Sequence, residues 1–113
     1  MQFLALIYET EGSSDVPMPE LMQQYQAFGE EAGTAGVIVG GNVLEAISTA
    51  TSVRMREGKT HITDGPFAET KEQLGGYYLL ECKDLDEAIK WAAKIPSARV
   101  GTVEVRPVMV FDQ

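Results

Sequence analysis

The order of strand-like and helix-like patterns along this chain is the feature that most restricts its fold. Residues 3–8 form a short, continuous apolar run of the length and composition of a buried central strand. The apolar residues that follow are spaced as on one face of a helix: Leu21, Tyr25, Phe28 and Ala32. Gly33 and Gly36 lie where this helix could end. The chain therefore begins with a strand and a helix.

The middle of the chain predicts a strand interrupted by glycines, and then a hairpin. Residues 37–44 contain Gly40 and Gly41, which could form a bulge or bend in the strand. Residues 53–56 and 60–63 flank a turn at 57–59. Their alternation predicts a hairpin with one half-buried face, one strand of which lies at a sheet edge.

A second strand–helix–strand pattern follows the hairpin. Residues 77–82 are aromatic and apolar, as in an inner strand. Asp84 and Glu87 have the spacing of a helix capping box, and Pro96 should stop the helix that they begin. Residues 102–106 alternate between apolar and polar side chains, as in a strand with one wet face.

This element order predicts an α+β fold of the ferredoxin-like, split βαβ kind, as one domain over residues 1–113. Two helices would cover one face of an antiparallel sheet, and the other face would stay bare. A bare apolar sheet face is a larger apolar patch than a soluble monomer normally exposes, so we expect a homodimer.

Composition excludes several classes of function. The chain has 17 acidic and 9 basic residues, a formal net charge of −8, which argues against binding to nucleic acid or an anionic membrane. Cys82 is the only cysteine, so no internal disulfide can form, and the spacings of zinc sites are absent. No apolar run approaches the length of a membrane span. We therefore expect a cytoplasmic protein without a metal or other cofactor.

The least generic segment is DGPFAETKEQLGGY, residues 64–77. It resembles the signature of the DGPF-type proteins of the YCII-related family, and the likeness continues at residues 85–88, 91–93, 95–96 and 104–107. The resemblance implies a dimeric ferredoxin-like α/β barrel with a cleft near the subunit boundary.

Family members of this kind are mostly uncharacterised bacterial proteins. Some occur beside extracytoplasmic-function sigma factors, and a few relatives remove chloride from hydroxylated aromatic or lactone compounds. The better-studied YCII branch is thought to use a histidine on the first helix and an aspartate before a proline near the end of the second. Residues 23–31 contain no histidine here, and Ile95 precedes Pro96.

The predicted catalytic residues are His61 and Asp64. A free histidine titrates near neutral pH, which suits proton transfer, and His61 is the only histidine in the chain. Residues three apart on a strand point to opposite faces, so the two side chains could meet only if the chain turns at Thr63 or Asp64. The alternative is that His61 is structural or faces solvent.

The predicted ligand-binding residues are Phe67, Glu69, Lys71, Arg54 and Tyr8. The loop after Asp64 is crowded with charges that could orient a polar substrate, arginine suits an anionic ligand, and tyrosine could line a cleft. In the alternative interpretation Asp64 bonds amides of its own turn, Phe67 fills the core and the other charges are solvated.

Two hypotheses for the function follow. In the first, the protein is a homodimer that binds a small anionic or aromatic metabolite, with any chemistry being acid/base elimination or isomerisation. In the second, it is a non-catalytic regulatory or scaffolding module for a partner such as an extracytoplasmic-function sigma factor. A third alternative is a structural domain without a ligand, which would have no ordered cleft near the loop after Asp64.

Overall fold

One four-stranded antiparallel sheet, in the order β2–β5–β1–β6, forms the centre of the molecule. The structure is a computed structural model that describes residues 1–12 and 16–111. The strands are β1 Gln2–Glu9, β2 Ile38–Val43, β3 Thr51–Arg56, β4 Lys59–Asp64, β5 Gln73–Glu81 and β6 Thr102–Pro107. The helices are α1 Met18–Thr34 and α2 Leu85–Ala92. This topology confirms the predicted ferredoxin-like α+β fold.

Helix α1 ends in a Schellman motif, as its glycines suggested. The amide of Val37 donates to the carbonyl of Ala32, and the amide of Gly36 donates to the carbonyl of Gly33, both at 3.0 Å. Gly36 has a φ of 72°, a left-handed conformation that costs glycine little. The glycine therefore stops the helix and turns the chain into β2.

Helix α2 begins at the predicted cap. The Asp84 carboxylate accepts a hydrogen bond from the amide of Glu87 at 2.9 Å. The Glu87 carboxylate in turn accepts one from the amide of Lys83 at 2.9 Å, one residue earlier than in the usual capping box. Two amide groups at the start of the helix are thus satisfied by side chains.

The core lies between the two helices and one face of the sheet. Phe3, Ala5 and Ile7 alternate along β1 and are buried, as is Leu80 on β5. The helix residues packed with them include Phe28, Ala32 and Ala88. Both helices therefore cover the same face, as predicted.

Cys82 also belongs to this core. Burial raises the pKa of its thiol, and the neighbouring carboxylates of Glu87 and Glu81 raise it further. A raised pKa disfavours the reactive thiolate, so Cys82 acts as a space-filling core residue.

The opposite face of the sheet, called the bare face below, consists of residues that alternate with the buried ones. Its members on the two central strands are Leu4, Leu6, Tyr8, Tyr77 and Leu79. Leu4 lies opposite Leu79, and Leu6 lies opposite Tyr77, whose hydroxyl accepts a hydrogen bond from the Asn42 side chain at 2.9 Å. None of the five belongs to the core cluster. All are only half-buried.

Strands β3 and β4 form a separate two-stranded sheet, joined by a tight turn in which Glu57 and Gly58 both have positive φ. The predicted half-buried face is wrong for the single chain, because Val53 is 61% exposed and Ile62 is 67% exposed. The physical reason is that the hairpin projects from the body, so nothing in the described part of the chain covers the face that carries Val53 and Ile62. The radius of gyration, 16.1 Å, exceeds the value of about 13 Å expected for a compact domain of this length.

Candidate functional site

A cleft of about 790 Å³ opens at the end of the sheet where β1 ends and β5 begins. We call it the main cleft. Its walls are the end of β1, the segment that follows β2, the loop between β4 and β5 and the first residues of β5. Most lining side chains are apolar or aromatic, among them Tyr8, Leu44, Ile47, Pro66, Phe67 and Leu74. The lining also includes a few polar groups, namely Glu45, Thr49, Thr70 and Gln73. Mostly apolar walls with a few polar groups are typical of small-molecule sites.

A smaller cleft of about 310 Å³ adjoins the main one and shares the wall formed by Val43 to Ala46. Glu9 and Glu11 line it. The Glu11 carboxylate accepts a hydrogen bond from the amide of Ile47 at 2.7 Å, which ties the wall segment to the end of β1. In the part of the chain that the structure describes, no group of three or more His, Cys, Asp or Glu is suited to hold a metal ion.

The turn Asp64–Gly65–Pro66 directs the chain from β4 into the cleft wall. Gly65 has a φ of 106°, a conformation that favours glycine. Its amide donates to the carbonyl of Ala50 at 2.7 Å, and its carbonyl accepts from the hydroxyl of Ser52 at 2.8 Å. Within the described residues the Asp64 side chain makes no hydrogen bond, so the alternative of an amide-bonding Asp64 is not found.

Gln73 holds the loop that follows. Its side-chain amide donates to the carbonyls of Ala68 at 2.9 Å and Thr70 at 3.0 Å. The Lys71 carbonyl accepts from the hydroxyl of Thr10 at 3.0 Å. The loop is thus anchored to β1 and β5, although it has no regular secondary structure. Gln73 lies in the distinctive segment 64–77, but its role depends on carbonyl positions that spacing along the sequence does not reveal.

Two of the predicted ligand-binding residues, Tyr8 and Phe67, line the main cleft. A third, Arg54, places its guanidinium carbon 5.4 Å from the centroid of the Phe67 ring. Phe67 is 77% exposed, so the alternative that it fills the core is wrong. The ring instead forms a wall of the cleft and stacks against a cation.

His61 lies opposite Arg54 in the ladder between β3 and β4. Directly paired residues share one face of a sheet, so a histidine and an arginine stand side by side next to the Phe67 wall. Asp64, the other predicted catalytic residue, lies opposite Thr51. Because β4 continues as a strand through Asp64, the turn that would have brought His61 and Asp64 together does not occur. Their side chains point to opposite faces of the hairpin.

The remaining predicted residues, Glu69 and Lys71, are exposed on the loop and are not among the residues that line the main cleft. Their role in binding stays a prediction. The cleft wall formed by residues 43–50 was missed altogether. It has the composition of an ordinary loop, and only the fold brings it opposite Phe67.

The sheet order and the cleft define an α+β domain of ferredoxin-like topology with an open, ligand-sized cavity at one end. The YCII-related domain family matches residues 1–112, and the chain belongs to this family. No helix among the described residues is long and apolar enough to cross a membrane.

Known proteins that are similar to this chain include a relative from Rhizobium meliloti and a solved structure. An uncharacterised protein of Rhizobium meliloti (strain 1021), R00369, is 42% identical over 83 residues. That match covers 72% of this chain and 64% of the relative, so it spans less than two thirds of the relative's length.

The second is a solved structure, the 5-chloro-2-hydroxyhydroquinone dehydrochlorinase TftG from Burkholderia phenoliruptrix AC1100 in complex with 2,5-dihydroxybenzoquinone. It superposes with a TM-score of 0.58 at 16% identity, covering 96% of this chain and 94% of that chain. At this identity the likeness shows the fold alone. Neither comparison supports the predicted sigma-factor partner.

Proposed function

We propose that this domain binds a small aromatic molecule that carries an anionic or phenolic group, and that the main cleft is its binding site. The observation that carries the proposal is the Arg54–Phe67 stack, whose ring forms part of the wall of a cleft lined with apolar side chains. Phe67 is 77% exposed, so the Arg54–Phe67 pair is not buried in the core. An exposed pair of this kind suits the recognition of a ligand.

The lining favours an aromatic ligand. Tyr8 and Phe67 supply aromatic surface from two sides of the cleft, and Leu44 and Leu74 add aliphatic surface. A flat ring between such walls buries apolar area, at roughly 25 cal/mol for each Å² removed from water. The volume of about 790 Å³ is within the usual range for small-molecule sites.

The positive charge beside Phe67 favours an acidic substituent on that ring. The Arg54 guanidinium offers several N–H donors in a planar fork, which matches a carboxylate or a phenolate. Arg56 and Lys59 lie on the same face of the hairpin, so the positive potential extends beyond one side chain. In a chain with a net charge of −8 this is an unusual concentration of basic groups.

Any chemistry in this site would be proton transfer, as in elimination or isomerisation. In an elimination a base accepts a proton from the substrate while the leaving group departs with the bonding electron pair. His61, beside Arg54, is the base that we assign, and Arg54 would stabilise the negative charge that develops on the ring oxygen. The shared fold with a dehydrochlorinase crystallised with a hydroxylated quinone supports this class of reaction.

We also propose that the domain is a homodimer. Leu4, Leu6 and Leu79 form an apolar stripe on the bare face, and a second copy would remove it from water. Tyr8 belongs both to the bare face and to the main cleft, so the cleft would lie near the boundary between the two subunits.

Titration calorimetry with a panel of hydroxybenzoates, catechols and hydroxyquinones tests the proposal. We expect at least one compound to bind, and Arg54→Gln to weaken its binding by about tenfold or more. The matched control is Arg56→Gln, which removes the same charge two residues along the same face but does not contact Phe67. The absence of binding across the panel, or an equal loss in both variants, would contradict the site.

A separate measurement addresses the chemistry. For a bound compound that carries a halide on the ring, halide release is followed with His61→Gln and with the native protein. We expect His61→Gln to keep the affinity and to lose most of the turnover, because a general base contributes roughly a hundredfold or more. Unchanged turnover would remove His61 from the role of base and leave the binding site intact.

A further inference from the structure

The loop between β4 and β5, residues 65–72, supplies the Phe67 wall of the main cleft and has no regular secondary structure. Side chains donate hydrogen bonds to its carbonyls. Gln73 donates to the carbonyls of Ala68 and Thr70, at 2.9 and 3.0 Å. The carbonyls of Gly65, Lys71 and Glu72 accept from the hydroxyls of Ser52, Thr10 and Thr70, at 2.8, 3.0 and 2.6 Å. The conformation of the loop therefore depends on a few side-chain donors, and Gln73 serves two carbonyls.

Gln73 is itself held by the central sheet. It is the first residue of β5 and lies opposite Glu9 at the end of the ladder with β1. Its side chain is half-buried and lines the main cleft. The two carbonyls that it contacts lie on either side of Glu69 in the sequence, so one side-chain amide closes a turn of the loop. A residue fixed by the sheet thus reaches back and fixes the loop.

Phe67 needs this support because core packing does not hold its ring. The ring is largely exposed and lies against Arg54, which is itself exposed on the β3–β4 hairpin. Ala68 is the next residue along the chain, and its carbonyl accepts one of the two hydrogen bonds from Gln73. That bond constrains the backbone directly after the ring.

The opposite wall of the cleft is bound to the same short stretch of β5. The amide of Leu44 donates to the carbonyl of Gly75 at 2.9 Å. Leu74, between Gln73 and Gly75, lines the cleft. Residues 73–75 thus bind one wall through a backbone carbonyl and the other through the Gln73 side chain. The separation of the two walls therefore depends on Gln73.

We propose that Gln73 is a positioning residue for ligand binding, which holds Phe67 at the distance from the Leu44 wall that a flat aromatic ligand requires. This role rests on the proposed function, because it concerns the same cleft and the same class of ligand. Without the two hydrogen bonds the loop would sample several conformations in the free protein, and binding would have to order it. Gln73 thus strengthens binding by organising the cleft before the ligand arrives.

Titration calorimetry with the panel of hydroxybenzoates, catechols and hydroxyquinones compares the native protein with Gln73→Met. Methionine has a similar length and volume but donates no hydrogen bond. We expect Gln73→Met to weaken the binding of the tightest compound about tenfold. Gln73→Glu, which has the same length and as a carboxylate only accepts, should repeat the loss. The control Gln23→Met, the same exchange at an exposed position on α1, should leave the affinity unchanged.

A double-mutant cycle with Phe67→Ala separates positioning from a general structural effect. Because Gln73 acts through Phe67, Gln73→Met should reduce the affinity much less in the Phe67→Ala protein than in the native one. A merely structural effect of Gln73 would reduce the affinity by the same factor in both proteins. Such additivity would overturn the proposal.

Backbone amide NMR relaxation of the free protein gives a readout that needs no ligand. The amides of residues 66–72 should become more mobile in Gln73→Met, while those of α1 and the midpoint of thermal unfolding stay as in the native protein. Unchanged mobility of the loop would overturn the role of Gln73. Native binding that Gln73→Met does not weaken would also overturn that role alone, whereas a native protein that binds no compound would contradict the proposed function and this role together.

Discussion

The body of the molecule and the β3–β4 hairpin, residues 51–64, which we call the arm, use the same alternating strand pattern with opposite results. In β1, Phe3, Ala5 and Ile7 are buried beneath the helices, whereas in the arm Val53 and Ile62 are largely exposed. Alternation predicts which side chains share a face, but it does not predict whether anything covers that face. The body is therefore stabilised by its own packing, whereas the apolar face of the arm has no such packing within the described part of the chain.

The largest expected effect is the loss of a core side chain in the body. Leu80 is fully buried, so Leu80→Ala should lower the free energy of unfolding by about 3 kcal/mol. The matched change in the arm, Ile62→Ala, should cost less than about 0.5 kcal/mol when the protein is dilute enough to be monomeric. Urea denaturation measures both. Equal losses would show that the arm packs against its own body.

A second comparison contrasts two adjacent glycines in β2. A side chain at Gly41 would come within 2.6 Å of the Tyr77 carbonyl and 2.9 Å of the Tyr78 ring, whereas Gly40 has open space. We expect Gly41→Ala to destabilise the protein by about 2 kcal/mol and Gly40→Ala to change it little. Thermal unfolding of the two variants measures the difference. A similar stability of the two would contradict the close approach of β2 to β5.

A third comparison places the same substitution in both regions. Gly36 and Gly58 have almost the same positive φ, 72° and 75°. Gly36→Ala should lower the stability of the body by about 1 kcal/mol, because alanine is strained in that conformation. Gly58→Ala should instead leave the main unfolding transition in place and speed hydrogen exchange only in residues 51–64. A shift of the main transition by both would show that the arm and body unfold as one unit.

The smallest expected effect is a dependence of the body's stability on pH. Burial, the largest effect, raises the pKa of Tyr25 above its ordinary value of 10.0, while the hydrogen bond with Ser97 opposes the shift. The unfolded tyrosine ionises first as the pH rises above about 10, so this contribution to stability is present below that pH and is lost above it. Denaturation between pH 9 and about 11 should show a shallower loss of stability in Tyr25→Phe. An identical slope would remove Tyr25 as the cause.

Much of the body could be predicted from the sequence because its signals are local. The Asp84 cap, the glycine at the end of α1 and the apolar run of β1 each act within a few residues. The predicted start of β5 at residue 77 was late, since Gln73–Gly76 pairs with β1 across an irregularity between Ile7 and Tyr8. Where the register of a strand depends on a bulge, the partner strand determines it, so the strand's own sequence does not reveal it.

The candidate site was predicted only in part, for a related reason. Tyr8, Phe67 and Arg54 stand out by residue type; the structure places Tyr8 and Phe67 in the main cleft and Arg54 against the Phe67 ring. The wall around Ile47 carries no signal of its own, since its position follows from a long-range contact, the hydrogen bond from the Ile47 amide to Glu11. Gln73 lies in the distinctive segment 64–77, but residue type alone does not reveal its hydrogen bonds to the Ala68 and Thr70 carbonyls. His61 and Asp64 were uncertain as a pair because the outcome depended on where β4 ends.

A heteronuclear NMR titration with the tightest-binding hydroxybenzoate or hydroxyquinone tests the central claim most directly. We predict that amide shifts will concentrate in residues 43–54 and 65–74 and at Tyr8, the segments that surround the main cleft, while Phe28 and Ile95 in the core stay unchanged. Shifts confined to the helices, or scattered over the surface without saturation, would contradict a binding site in the cleft.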